Sequence, residues 1–287
     1  MDFPSDGDAT FRLTSDLKGL EVQIPEVGLL KNKKASSSFE VTGYISDNIY
    51  YDTMFISAED FELNVSIDNN EKYLIERLFR KDIFDVSGFA SKDGLEFTGG
   101  KFNLANYLKF TESKHKSKSG IPVSVNLDTL NITDSFYIDN FSTRFVSDSI
   151  NGTFAGLFMG AEPVTGSFGS ENGYRFAEIL SNDAGAFLQA AGLIKRGAEG
   201  KLNLRINRNA DGIKGRLFTE SLKIYDLPAL AKLLQSLSII GLLEQMLGQG
   251  LFLAESDINF RLDDEQYIID SASFFGPSLG ISLDGYL

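Results

Sequence analysis

His115 is the only histidine in the chain, and there is no cysteine. His115 lies between Lys114 and Lys116 in a polar stretch, KFTESKHKSKSG. A general base needs a positioned environment, and a lysine-flanked loop reads instead as a solvated side chain. One His without Cys leaves a conventional zinc site short of ligands. A Ser–His–acid triad could draw only on His115, and no G-x-S-x-G stands near a strand-to-helix turn. Paired carboxylates are the remaining route to acid–base chemistry. The densest group, Asp263-Asp264-Glu265, falls in an expected hairpin turn and reads as solvated. Asp68-Asn69-Asn70-Glu71 has part of a calcium-loop pattern without its full spacing, and reads as a helix cap. Gly166-Ser167-Phe168-Gly169-Ser170 lacks the Lys-Ser/Thr ending of a phosphate loop. No catalytic residue, metal or cofactor is expected.

The elements around these residues read as mainly β. ATFRLTS, LEVQIP, SSFEVTGYI and FELNVSID, within residues 9–68, are short strands. Alternation is plain in Phe61-Glu62-Leu63-Asn64-Val65-Ser66-Ile67, which gives one apolar and one polar face. EKYLIERLFR carries Leu74, Leu78 and Phe79 at i, i+4 and i+5, which predicts a short helix over 71–80. Strands resume with a hairpin turn at Lys92-Asp93-Gly94. Residues 109–120 read as a linker. Beyond it Val123, Val125 and Leu127 share a face opposite Ser124, Asn126 and Asp128. Turns follow at Asn151-Gly152 and Asn172-Gly173. Asp183 caps an expected helix over 183–191, stopped by Gly192. Leu202, Leu204 and Ile206 begin a hairpin that turns at Ala210-Asp211-Gly212. Asp226 caps a helical region near 227–247, with Pro228 in its first turn where Pro is tolerated. Ile258, Phe260 and Leu262 open the last strands. The expected division is 1–115, a β-rich segment with one short helix, and 116–287, a β segment with helices near 183–191 and 227–247.

Composition sets limits. Hydrophobic residues are 43% and charged residues 23%, so a sizeable core is feasible. The net charge of −13 repels phosphate backbones, which excludes nucleic acid as the expected partner. MDFPSDGDATF has neither the basic nor the apolar part of a signal peptide. Leu233–Leu243, the nearest approach to a membrane span, is too short and is broken by Gln235, Ser236 and Ser238. The triplets at Asn64, Asn131, Asn140 and Asn151 fit N-x-[ST], at a rate chance explains in a chain rich in Asn and Ser. Phe residues number 24 and Trp none, and basic residues do not interleave with them as a base-stacking platform requires.

The order of the tail carries a resemblance. DAGAFLQAAGLIKRGAEGKLNLRI is followed by DGIKGRLFTESLKIYDLPALAKLLQSLSIIGLLEQMLGQGLFL and then by DINFRLDDEQYIIDSASFFGPSLGISLDGYL. This succession of helix, hairpin, D-x-P-A-L-A-x-L-L, Gly-Leu-Leu and a strand pair closing on G-P-S-L-G resembles the AsmA-like family, in the branch that includes YhdP. Upstream, Ser15-Asp16-Leu17-Lys18-Gly19-Leu20 with Pro25 is similar to that family's central region. The clear similarity covers 183–287 and a weaker one covers 9–110.

The resemblance implies an antiparallel, twisted, open β-sheet groove, a half-pipe with short helices near its C-terminal part. It implies a non-enzymatic protein anchored in the bacterial inner membrane by an N-terminal helix and extending through the periplasm. Its apolar groove would carry phospholipid between the inner and outer membranes. The chain lacks that anchor and the family's continuation after Leu287, which suggests a segment of a longer protein. The expected groove lining is Val123, Val125, Leu127, Leu202, Leu204, Ile206, Ile258, Phe260 and Leu262. For each of them, closed hydrophobic core is the competing reading. The expected partners are phospholipid and other envelope proteins. An alternative role is an envelope assembly factor that binds outer-membrane protein clients along a strand edge. A carbohydrate-binding β-protein is a third reading.

Overall fold

The computed structural model describes residues 9–24, 29–31, 33–34, 37–67, 72–111, 120–147, 151–171, 174–209, 212–226, 250–263, 266–277 and 279–284. They are mostly strand, with two helices, and the antiparallel sheet is open and does not close into a barrel. The β-rich, open reading of the sequence therefore holds. Two compact units part between Asp148 and Ser149.

The first unit holds β1 (Ala9–Ser15), β2 (Val22–Ile24), β3 (Leu29–Lys31), β4 (Ser38–Ile45), β5 (Ile49–Ala58) and β6 (Phe61–Ile67). It continues with β7 (Tyr73–Arg80), β8 (Phe84–Ser91), β9 (Gly94–Asn103), α1 (Leu104–Thr111), β10 (Pro122–Asn131) and β11 (Tyr137–Val146). β1 pairs with β4, and antiparallel pairing then runs strand by strand from β4 to β9. β9 and β10 are parallel, and β10 and β11 antiparallel. A parallel pair needs a long connection, and α1 begins that connection. Asn103 starts the helix by accepting the Asn106 N–H at 2.9 Å. β2 and β3 form a separate ribbon. Lys31, 4% exposed, donates to the carbonyls of Leu17 at 2.6 Å and Leu20 at 2.9 Å, which ties down the loop before that ribbon.

Residues 73–80 are strand β7, which corrects the helix expected over 71–80. The cause is a β-bulge. Asn64 pairs with Arg77 and Val65 with Ile75, which leaves Glu76 extra. The bulge places Glu76 and Arg77 together on the polar face and returns Ile75 and Leu78 to the apolar one. Apolar residues three apart then imitate a helix. Similar extra residues are Asp52 on β5, Gly99 on β9 and, in the second unit, Asp270.

The second unit holds β12 (Gly152–Phe158), β13 (Glu162–Glu171), β14 (Tyr174–Ser181), α2 (Ala184–Ala190) and β15 (Arg196–Ala198). It ends with β16 (Lys201–Asn209), β17 (Gly212–Asp226), β18 (Leu251–Asp263), β19 (Gln266–Gly276) and β20 (Leu279–Asp284). Antiparallel pairing runs β12–β13–β14–β16–β17–β18–β19–β20, with β15 beside the end of β17. α2 stands where Asp183 was expected to cap it, with the Ala186 N–H donating to the Asp183 carboxylate at 2.9 Å. Gly192 follows with φ 72°, the left-handed form that ends a helix. The helix expected near 227–247 lies outside the described residues. β17 and β18, which flank it, pair up to Ile224 and Leu251.

One face of each sheet is a ladder of polar contacts. In the first unit Arg77 donates to Asp85 at 2.9 and 3.0 Å and reaches Glu62 at 3.3 Å. Glu76 accepts from Asn64 at 2.7 Å and Ser66 at 2.6 Å. In the second unit Arg205 donates to Glu171 at 3.0 Å, and Arg261 pairs with the bulged Asp270. Arg216 forks onto Asp257 at 2.8 and 2.6 Å, and these hydrogen bonds hold the Asp257 carboxyl below its ordinary range. Arg77 and Arg205 each also stack over an aromatic ring on the same face, Phe79 and Phe176, both at 4.7 Å.

Phe187 of α2 is buried and stacks on Phe158 at 4.2 Å between centroids. Phe187→Ala is expected to remove about 3–5 kcal/mol, read as a lower urea midpoint. The depressed Asp257 contributes stability that is present above the unfolded carboxyl pKa of about 4, and loses it as pH falls through the lower folded value. Both partners are part-exposed, so Asp257→Asn is expected to cost about 0.5–1 kcal/mol at neutral pH. That gap between the two proteins should close in strong acid; a gap that stays constant with pH sinks the assignment.

Candidate functional site

Among the described residues no three metal-ligating side chains gather at one place. His115, Asp68 to Glu71, Asp264 and Glu265 lie outside the described residues. One carboxylate among the described residues is buried. Glu162 accepts the Ser181 hydroxyl at 2.6 Å, Ser181 accepts the Asp183 N–H at 3.0 Å, and Asp183 caps α2. This chain of contacts seats the helix on the sheet. The carboxylates of the polar ladder are likewise held by arginines, amides and hydroxyls.

The face opposite the ladder is apolar, and strand register shows how its side chains line up. In the second unit Leu204, Leu217, Ile258 and Ala272 form one row across β16 to β19. Ile206, Gly215, Phe260 and Ile269 form the next, and Ile213 faces Leu262 in a third. Toward α2 the row is Ser181, Leu202, Thr219 and Ser256. In the first unit Val123, Val125 and Leu127 continue rows that include Leu95, Phe97, Phe145 and Phe141.

All nine expected lining residues thus lie on the apolar face of their own unit. The structure brings Leu202, Leu204, Ile206, Ile258, Phe260 and Leu262 together across three adjacent strands. The middle strand, β17, supplies Ile213 and Leu217, which the sequence reading left out. Their signal was present in the alternation of Ile213, Gly215 and Leu217. Phe260 lies over its cross-strand partner: a Cβ on Gly215 would come within 2.2 Å of its ring. The same relation joins Phe154 to Gly166 and Phe11 to Gly43. Glycine here gives each ring a flat seat on the backbone.

Burial along the face is graded. Leu202, Leu222, Ile224, Leu251 and Leu253, toward the α2 end, are 1–3% exposed. Leu204, Ile206, Ile258, Phe260 and Leu262 are only half-buried. In the first unit Val123 and Leu127 are buried and Val125 is half-buried. α1 closes against Phe102, which its Tyr107 ring meets at 5.1 Å. Each unit therefore has a short helix at one end of its apolar face. The Thr219 and Ser256 hydroxyls face each other at the buried end of the second unit without a hydrogen-bond partner. No sequence signal marks that pair.

The surface suits alkyl chains. Half-buried Leu, Ile and Phe in straight rows leave apolar area for an apolar occupant. No family model, curated protein or solved structure matches the chain. The AsmA-like resemblance therefore rests on the order and spacing of its own elements.

Proposed function

We propose that the chain is a non-enzymatic lipid carrier, whose apolar sheet faces hold the acyl chains of phospholipid while headgroups stay in water. The observation that carries this reading is the unbroken set of cross-strand apolar rows with half-buried side chains, Leu204 to Ile258 and Ile206 to Phe260. Holding an acyl chain there removes methylenes from water, at about 0.8 kcal/mol each. A bilayer gives the same methylenes a similar shelter. Movement between the two needs no bond-making step and no positioned base or nucleophile. Under this reading the work is done in the periplasm, as part of a protein anchored in the bacterial inner membrane. That location comes from the resemblance alone.

The test is the lipid content of the purified chain. Mass spectrometry of a gentle organic extract is expected to find phospholipid, and the protein is expected to take up a fluorescent phospholipid. The double variant Leu204→Gln, Ile258→Gln is expected to lose most of both while keeping its β-sheet circular dichroism. Absence of bound lipid together with absence of uptake in the unaltered protein overturns the proposal.

A further inference from the structure

Apart from Leu13 on the edge strand β1, the exposed large apolar residues of the first unit's sheet gather at one end of its strands. The turns at 46–48 and 92–93, the start of β7 and the C-terminus of β11 all lie at this end, as the registers require. Ile45, Ile49, Tyr51, Tyr73, Leu74 and Phe89 are exposed there, Ile49 by 57%. Ile121 and Val146 are exposed beside them. At the opposite end the turns 59–60, 81–83 and 132–136 bear none of the exposed large apolar residues among those described, and Leu20, in the loop after β1, is the exception at that end. Those turns present Glu59, Asp60, Lys81, Asp82 and Asp134, whereas at the apolar end the charged turn residues Asp47, Lys92 and Asp93 are flanked by exposed apolar side chains.

Both faces of the sheet change at the apolar end. Ile45, Ile49, Tyr51 and Tyr73 belong to the apolar face and come into water at its rim. Leu74 and Phe89 are partners across β7 and β8 on the other face, where ion pairs prevail elsewhere. The β4–β5 tip is the most developed part. Tyr44 and Tyr50 stack at 4.9 Å on one side of it, and Ile45 and Ile49 pair on the other. Tyr50 donates its hydroxyl to Asp47 at 2.9 Å, so that its polar end is already satisfied in water. A protein partner covers one face or one edge. A medium that is apolar all around a tip, with a polar boundary for tyrosine, is the surface of a lipid bilayer.

We infer that this rim, led by the β4–β5 tip, docks the first unit on a lipid bilayer by shallow insertion. The choice of occupant rests on the carrier reading, because the rim is continuous with the apolar face and gives an acyl chain a dry path onto it. The chain's charge of −13 argues against anionic surfaces and makes phosphatidylcholine vesicles the probe.

The experiment is flotation of the full chain with phosphatidylcholine vesicles. The unaltered protein is expected to float with the lipid. Ile45→Ser with Ile49→Ser is expected to weaken partitioning about tenfold or more. Lys81→Ser, at the opposite end, is expected to change nothing. Both isoleucines are exposed, so the double variant should keep its melting profile. Failure of the folded protein to float overturns the inference, as does flotation that the double variant leaves intact. Self-association that the double variant abolishes, with no flotation, assigns the rim to a second copy of the chain and overturns it too. A chain that carries phospholipid without floating leaves the carrier reading standing and removes only this one. Flotation without bound lipid does the reverse.

Discussion

A single layer of β-sheet with one apolar face has nothing of its own to cover that face. Most sheets meet a second layer. Among the described residues, what lies off the large sheet is one short helix in each unit and, in the first, the β2–β3 ribbon, against an apolar face eight or nine strands wide. The other features of the fold answer this constraint. Bulges at Asp52, Glu76, Gly99 and Asp270 bend the strands locally and increase their twist. Phe rings seated on cross-strand glycines spread over the face in place of projecting from it. α1 and α2 cover only an end each, through Tyr107 on Phe102 and Phe187 on Phe158.

The polar face answers the same constraint from the other side. A sheet solvated on one face needs side chains there that prefer water and tie neighbouring strands together. Arg77 and Arg205 do both, since each holds a carboxylate on another strand and lies over an aromatic ring. Such exposed pairs contribute little individually. Their value is in register. A slip of one residue would turn Glu62, Arg77 and Arg216 onto the apolar face, where an unpaired charge is expensive. Three bulged residues, Asp52, Glu76 and Asp270, are acidic. An extra residue that loses its ladder partner is tolerated best when its side chain finds water or an arginine.

These features explain what could be read in the sequence. Alternation found the apolar face directly at Val123, Val125 and Leu127, and again at Leu202, Leu204 and Ile206. Asp183 marked α2 because a cap is a local interaction between a side chain and the backbone three residues on. The errors fall where alternation breaks. At Glu76 and Arg77 the bulge produced a helical spacing inside a strand. α1 has no counterpart among the expected elements, and the linker expected over 109–120 begins inside it, although Asn103 followed by Leu104, Tyr107 and Leu108 has the cap and spacing of a helix. Its consequence, the parallel β9–β10 pair, was hidden with it, since hairpin signals speak only for antiparallel neighbours. The Thr219–Ser256 row could not be read at all. It depends on which strands become neighbours, and neither residue is unusual in its own strand.

Graded burial also decides which part of the apolar face could serve an occupant. At the buried end of the second unit, Leu251 and Leu253 are 1% exposed, so protein already fills the space above them. Two partnerless hydroxyls in such a place cost about 1–3 kcal/mol each. An alkyl chain would do nothing to satisfy them. Three rows away, at Ile213 and Leu262, the face is half-open, and Arg208, the cross-strand partner of Ile213, marks where its apolar part ends. The distance from Thr219 to Ile213 along β17 is about 20 Å at the ordinary rise of a strand. That is room for a long acyl chain laid along the strands. An occupant there gains by covering half-exposed Leu, Ile and Phe, and loses nothing by leaving the hydroxyl row alone. The same energetics that leave the sheet's apolar face wanting a cover therefore favour a mobile, chemically inert one over the open rows.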